Sequence, residues 1–354
     1  MPPIPQLLLD CSIYLYASKA SAEDGENFGG SGCLVSIESP PIYDPNSFKY
    51  GRYTRISVYF PPHIYAVTNK HVALRGFPVV RLNTLDDKTD VLELDYHDWI
   101  PHPEGDDLVV APLDLPQHKY SYFPIGSELF VDQRAVTSQD IGAGDDTFMV
   151  GRFVNHAGQQ RNTPSLRFGS IAMLPFEKVK LGKEANYHMQ EAFLVETRSI
   201  SGFSGSPVFV YRPSEIEAAI PPGEDSFETR YKYITTISEL VGHVNFLGID
   251  CGHVPKYERV VNGALTPHPQ GWKVAANTGM AIVIPAWRLL ELLNTPELVM
   301  QRKQKDKKYQ EEKEAEESVA LDLETPEPLT KESYEEVLKR ASRKISDHES
   351  KDEK

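Results

Sequence analysis

Short apolar runs, separated by Gly, Pro, Asn and Asp, fill the chain from about residue 5 to residue 295. They include CSIYLYAS (11–18), GCLVSI (32–37), RISVYF (55–60), HIYAVTN (63–69) and DLVVAPL (107–113). TFMVGRFV (147–154), SPVFVYR (206–212), NFLGIDC (245–251) and MAIVIPA (280–286) continue the series. Many short runs between turn residues predict an all-β sandwich or barrel. In 11–18 the alternation of Ser12, Tyr14 and Tyr16 with Ile13, Leu15 and Ala17 has period two. Aromatic residues on the second face predict that both faces of this strand are at least partly covered. The first convincing helix is AWRLLELLN (286–294), preceded by Pro285 and carrying Leu289, Leu290, Leu292 and Leu293 as an apolar face.

Beyond residue 295 the pattern changes. Residues 301–329 are nearly all charged residues and helix formers, a solvated helix or a disordered linker. Residues 332–345 place Tyr334, Val337, Leu338, Ala341 and Ile345 at helical spacing, with Thr330 as a cap. This segment reads either as a terminal helix or as a docking helix for a partner protein. The expected organisation is a β body over 5–295 and a charged tail over 296–354. Two segments interrupt the body: the Pro- and Tyr-rich stretch 38–55, a hairpin extension or surface loop, and the polar stretch 212–233, an inserted loop.

Composition narrows the partners. With 40% hydrophobic and 25% charged residues in 354, the chain has the balance of an ordinary soluble protein. A net charge of −14 repels phosphate backbones, so no nucleic-acid partner is expected. No stretch approaches the ~20 apolar residues of a membrane span, so no membrane partner is expected either. Cys11, Cys33 and Cys251 are too few and too oddly spaced for a disulfide framework or a metal site, and suit a reducing compartment. The N-terminus has no Lys or Arg before Lys19, and Asp10 breaks its short apolar run, unlike a secretory signal. These features together predict a cytoplasmic location.

Three segments carry chemistry. IYAVTNKHVA (64–73) runs a strand into Asn69 and His71; GDDLVVAPLDL (105–115) opens an apolar strand with acids; SISGFSGSPVFV (199–210) is a Gly-Ser turn before a strand. Peptide hydrolysis needs a serine hydroxyl activated by a histidine base, a carboxylate to hold the imidazole, and backbone N–H groups for the oxyanion. Chain order is His71, Asp107, Ser204. It differs from the Ser–Asp–His order of α/β-hydrolases, and Gly202-Phe203-Ser204-Gly205-Ser206 also misses their GxSxG elbow. Asp106 competes with Asp107 for the carboxylate role; Asp107 is preferred because it abuts Leu108-Val109-Val110. Asp107 also reads as a simple turn cap. A cysteine nucleophile at Cys251 would need a histidine beside it, and the sequence order gives no reason to expect one.

These segments resemble those of trypsin-like serine peptidases, specifically the disulfide-free bacterial HtrA type. GSGCLVSI around Gly32 looks like that family's strand before the histidine, VTNKHV (67–72) like its Thr-Asn-x-His-Val, and DLVV (107–110) like its aspartate strand. GDDTFMVGRF (144–153), RFGSIAM (167–173), GFSGSPVF (202–209), NFLGID (245–250) and TGMAIVIP (278–285) follow in the family's order. The resemblance implies two six-stranded antiparallel β-barrels of chymotrypsin type with a C-terminal helix and charged tail. It implies His71, Asp107 and Ser204 as a triad in the cleft, the N–H groups of Gly202 and Ser204 as oxyanion donors, and no cofactor or metal. It places Arg198, Ser199, Asp250, Gly252 and His253 near the primary specificity pocket, where Arg198 either favours acidic substrate side chains or points to solvent or Glu196. Two departures stand out: Ser206 replaces the second glycine of the nucleophile turn, and the charged tail stands where the HtrA type carries a PDZ domain. The expected activity is a serine endopeptidase acting on protein or peptide. A catalytically silent binding module of the same fold, or an esterase using the same triad, are the alternatives.

Overall fold

A computed structural model describes residues 4–43, 56–138, 140–152, 161–183, 186–197, 202–211, 244–260, 270 and 272–324. In chain order its strands are β1 (Ser12–Tyr16), β2 (Phe28–Ile37), β3 (Ile42–Tyr43), β4 (Ile56–Val58), β5 (His63–Thr68), β6 (Val79–Asn83), β7 (Thr89–Leu92), β8 (Ile100–Pro101) and β9 (Val109–Leu113). There follow β10 (Ile125–Gly126), β11 (Asp146–Arg152), β12 (Pro164–Met173), β13 (Val179–Lys183), β14 (Asn186–Gln190), β15 (Phe193–Thr197), β16 (Pro207–Tyr211), β17 (Val244–Arg259) and β18 (Lys273–Pro285). The α-helices are α1 (Gln6–Leu9), α2 (Lys19–Asp24), α3 (Lys70–Ala73), α4 (Gln133–Thr137), α5 (Ala286–Leu293) and α6 (Pro296–Glu324).

The chain divides into two compact units. The first, Met1–Pro41 with Tyr59–Met300, holds an eight-stranded sheet and a closed barrel. The sheet runs β7-β6-β1-β2-β5-β9-β8, with β10 added in parallel to β2. The barrel runs β11-β12-β15-β18-β17-β16 and closes through antiparallel pairing of β11 with β16. The second unit, Ile42–Val58 with Gln301–Lys354, is described for the hairpin β3–β4 and the body of α6.

Among the described residues one of the two expected barrels is closed, and a second closed barrel is not shown. Strand β8, at one edge of the open sheet, has two residues, and Pro101 has no N–H to pass the ladder on. The helix read over 286–294 is α5. The charged segment that began as helix or linker is helical through Glu324, and the stretch 38–55 contributes β3, which pairs with β4 just beyond it. The inserted loop 212–233, the helix read over 332–345, and the pocket residues Arg198 and Ser199 lie outside the described residues.

Strand β1 explains its own composition. It sits between β2 and β6, and all five residues are buried. Ile13 and Leu15 enter a core with Leu34, Val80 and Val109, while Tyr14 and Tyr16 pack with Ala22 of α2, Phe28 and Val79. Helix α2 covers the tyrosine face; Ser18 caps it by accepting from Ser21 N–H at 3.2 Å.

The period-two alternation of the barrel strands splits their side chains between two cores. Met149, Val208, Val210 and Leu247 fill the barrel. Phe148, Phe209, Phe246 and Ile249 point the other way, into a core shared with Cys33, Val35, Val67, Leu108 and Val110 of the sheet. Helix α5 adds Leu289, Leu292 and Leu293 to this shared core. Phe148 and Phe209 stack at 5.0 Å, and Phe209 meets Phe246 edge-on at 5.7 Å. Burial of each such ring contributes about 2–3 kcal/mol. Sheet and barrel are therefore held in one register by apolar packing.

Candidate active site

Strand β5 ends at Thr68, Asn69 stays extended, and the one-turn helix α3 places His71 in its first turn. The first N–H groups of a helix have no partner within it. Here Asp107 supplies acceptors: Lys70 N–H donates to its carbonyl at 3.3 Å, and His71 N–H donates to its carboxylate Oδ1 at 2.9 Å. Asn69 Nδ2 also donates to the Asp107 carbonyl, at 3.0 Å. The second carboxylate oxygen, Oδ2, lies 2.5 Å from His71 Nδ1. One aspartate thus caps the helix and grips the imidazole of the same histidine. The cap reading and the orienting reading describe one geometry.

The neighbouring Asp106 is committed elsewhere. Arg288 of α5 donates from Nε to Asp106 at 2.6 Å and reaches Glu104 at 2.7 Å and Glu291 at 2.5 Å. Burial works against the Arg288 charge, but the bonds to Asp106 and Glu104 outweigh it and hold the guanidinium above its ordinary pKa. Arg288 and Asp106 are both about nine-tenths buried. Removing one partner of such a pair strands the other charge, at a cost of about 3–5 kcal/mol. Arg288→Met is therefore expected to lose that much stability in urea denaturation; a loss below 1 kcal/mol would show that Arg288 does not anchor the acidic loop leading into Asp107.

The turn 202–206 rests on the barrel side of the same core. Gly202 and Gly205 adopt φ of +96° and +89°, which only glycine accepts freely. Ser206 N–H donates to the Phe203 carbonyl at 2.8 Å, and Phe203 is fully buried with the Arg167 guanidinium 4.7 Å from its ring centroid. Two contacts with Asp250 brace the turn from behind: Gly205 N–H donates to its carbonyl at 2.8 Å, and its N–H donates to Ser206 O at 2.9 Å. Neither Gly202 N–H nor Ser204 N–H has an acceptor among the described residues.

Ser31 and Thr68 link this turn to the histidine side. Ser31 N–H donates to the Ser204 carbonyl at 2.9 Å, and its hydroxyl donates to the Gly202 carbonyl at 3.2 Å. Thr68, three residues before His71, donates from its hydroxyl to the Ser31 carbonyl at 2.7 Å. A methyl group built on Gly30 would come within 2.8 Å of both Val72 methyls and 3.1 Å of the Ser204 carbonyl. The elements carrying His71, Asp107 and Ser204 thus converge. Ser31, Thr68 and Gln190, which accepts from Asp107 N–H at 3.4 Å, had no signal in the sequence, because their partners are 37 to 173 positions away.

Of the residues read near a pocket, Gly252 and His253 lie half-buried on β17. Asp250 is fully buried. Burial raises its carboxyl from 3.8 to about 8, against a weak lowering by the Gly252 N–H, and one of its oxygens has no partner. Between pH 4 and 8 the folded chain holds a proton that the unfolded chain has lost, so stability falls as pH rises through that window. Asp250→Asn is expected to flatten this slope. The variant should gain several kcal/mol over the parent at pH 8, at about 1.4 kcal/mol per unit of displacement, with the gap closing by pH 4. Parallel denaturation curves at both pH values would refute the buried, protonated Asp250.

All three cysteines are free. Burial, then the Asp107 and Asp250 charges, pushes the Cys251 thiol well up, so it is not a thiolate nucleophile. Among the described residues no group of three or more His, Cys, Asp or Glu side chains is placed to hold a metal ion, and no helix is long and apolar enough to cross a membrane.

No family model matches the chain, and no curated protein matches it. Among solved structures, the crystal structure of Rv3671c protease in an inactive form is similar to this chain. It matches at 12% identity and a TM-score of 0.38, over 83% of this chain and 96% of that one. A serine-to-alanine mutant of Rv3671c from M. tuberculosis H37Rv, also in an inactive form, matches at 14% identity and the same TM-score, over 83% and 93%. At that TM-score the likeness decides neither fold family nor activity.

Proposed function

We propose that the chain is a serine endopeptidase of the chymotrypsin type, with His71, Asp107 and Ser204 as its triad. The observation that carries this reading is the double grip of Asp107 on His71, through the backbone N–H and through Nδ1, while Asp106 is held by Arg288. A carboxylate on Nδ1 leaves Nε2 as the basic nitrogen of the imidazole.

The chemistry follows from that tautomer. Nε2 takes the proton of Ser204 Oγ as the oxygen bonds to the scissile carbonyl carbon. The carbonyl π pair moves to its oxygen, where the N–H groups of Gly202 and Ser204 are suited to receive the negative charge. The imidazolium, stabilised by Asp107, passes its proton to the leaving nitrogen as the C–N bond breaks, which leaves an acyl-enzyme. Water then repeats the sequence: Nε2 takes its proton, its oxygen bonds to the acyl carbon, and Ser204 Oγ leaves with a proton from His71. Buried Asp250 and Ser31 act as positioning residues that fix the turn.

The test is covalent labelling of the purified full chain by a fluorophosphonate, with the modified residue mapped by peptide mass. Labelling at Ser204 together with hydrolysis of a peptide supports the reading; no labelling overturns it in favour of a silent binding module of the same fold, labelling elsewhere removes Ser204 as the nucleophile, and labelling at Ser204 with cleavage of small esters alone favours the esterase.

A further inference from the structure

Gln190 is the last residue of β14, and Glu191 follows it on the way into β15. A glutamine is seldom fully buried, yet Gln190 has no exposed surface, so both ends of its amide need partners. Nε2 donates to the Glu191 carbonyl at 3.1 Å, and Oε1 accepts from Asp107 N–H at 3.4 Å. A carbonyl oxygen only accepts, so the bond to Glu191 fixes which end of the amide faces Asp107.

Asp107 spends its other polar groups on the histidine segment. Oδ1 accepts from His71 N–H, Oδ2 faces His71 Nδ1, and the carbonyl accepts from Asn69 Nδ2 and Lys70 N–H. Its N–H goes to Gln190. That bond is long, and its value lies in direction: it sets the plane of the peptide between Asp106 and Asp107, from which the Asp107 side chain departs. The acceptor is itself anchored. Trp287 of α5 donates from Nε1 to Glu191 Oε1 at 2.9 Å and meets Phe193 of β15 edge-on at 5.6 Å. Arg288, the next residue of α5, holds Asp106. Consecutive residues of one helix thus fix both sides of that peptide: Asp106 directly, and Asp107 through Glu191 and Gln190.

We infer that Gln190 is a positioning residue for the proposed triad, acting through Asp107 to hold the His71 imidazole in its working orientation. The inference rests on the peptidase reading and adds to it a contribution from the junction of β14 and β15, which none of the three chemistry-bearing segments contains.

The test replaces Gln190 in the full chain by Met, which keeps the length and lacks the amide, and by Glu, which keeps an acceptor oxygen and adds a charge. One readout is the rate of fluorophosphonate labelling at Ser204, split into its limiting rate and half-saturating concentration across a pH series. The other is the low-field proton resonance expected of His71 Nδ1–H in its short bond to Asp107, assigned with a His71→Ala control. Gln190→Met should lower the limiting rate about tenfold or more, leave the half-saturating concentration unchanged, and weaken the low-field resonance. Gln190→Glu should recover most of the limiting rate. Its added negative charge beside Asp107 favours the imidazolium, so the acid limb of its rate profile should move to higher pH. This isosteric variant stands in if Gln190→Met does not fold. A rate that falls only with the folded fraction seen by circular dichroism, with the resonance intact and no recovery by Glu, makes Gln190 a packing residue and overturns the role. Unchanged rate and resonance in Gln190→Met overturn it as well. A parent chain that does not label defeats the peptidase reading, and the resonance, which needs no turnover, then still decides whether Gln190 orients the His71–Asp107 pair.

Discussion

Ser204→Ala will abolish fluorophosphonate labelling and lower peptide hydrolysis about a millionfold, with the fold intact. The magnitude is the scale on which a triad acts as one unit, since removing the nucleophile alone forfeits nearly everything the three residues do together. The fold should survive because the contacts Ser204 makes with its surroundings run through its backbone: its carbonyl accepts from Ser31 N–H, and Gly205 and Ser206 beside it are held by Asp250. Unchanged far-UV circular dichroism and Tm within a few degrees, alongside lost activity, would separate chemistry from folding. A variant that still hydrolyses peptides at more than a thousandth of the parental rate would remove Ser204 from the mechanism.

Gly205→Ala is expected to have the largest structural effect of any single methyl group in the turn. Gly205 sits at φ +89°, and an added Cβ would lie 1.9 Å from the Ser31 carbonyl oxygen and 2.4 Å from Thr68 Oγ1. The oxygen belongs to backbone in the middle of β2, so no side-chain rotation relieves the clash. Strain at the dihedral and displacement of the strand together should cost about 4 kcal/mol or more. The same displacement breaks the Thr68–Ser31–Ser204 link, so activity should fall with stability. Urea denaturation of the purified variant reads the first effect and labelling reads the second. Near-parental stability would mean that the turn has room that its geometry denies.

The β character of the body was legible because short apolar runs bounded by turn residues are a local property. Runs such as TFMVGRFV and SPVFVYR became β11 and β16, whose alternate residues serve the barrel interior and the shared core. The cover over both faces of β1 was legible from the position of its tyrosines, but the identity of the cover was not: α2 is a short helix without a readable apolar period. The one-turn helix α3 escaped for the same reason, and it changes the picture locally, because His71 belongs to a capped helical turn and not to the end of a strand. The second closed barrel was an inference from resemblance. Closure depends on whether edge strands meet, and the pairing ends at the two-residue β8.

The candidate site divides along the same line. The sequence by itself determined which residue types could do hydrolytic chemistry, in what chain order, and that glycines flank Ser204, since these are statements about neighbours along the chain. It preferred Asp107 to Asp106 only because Asp107 abuts Leu108-Val109-Val110. The contacts that set the two apart are tertiary: Arg288, 182 positions away, holds Asp106, while the start of α3 presents the His71 N–H and Nδ1 to Asp107. Nor could it find Ser31 or Thr68, whose partners lie far off in sequence. Local patterning sets strands and turns because it depends on adjacent side chains; hydrogen-bond partners and buried charge depend on which strands pack together, and that is decided only when the chain closes on a shared core.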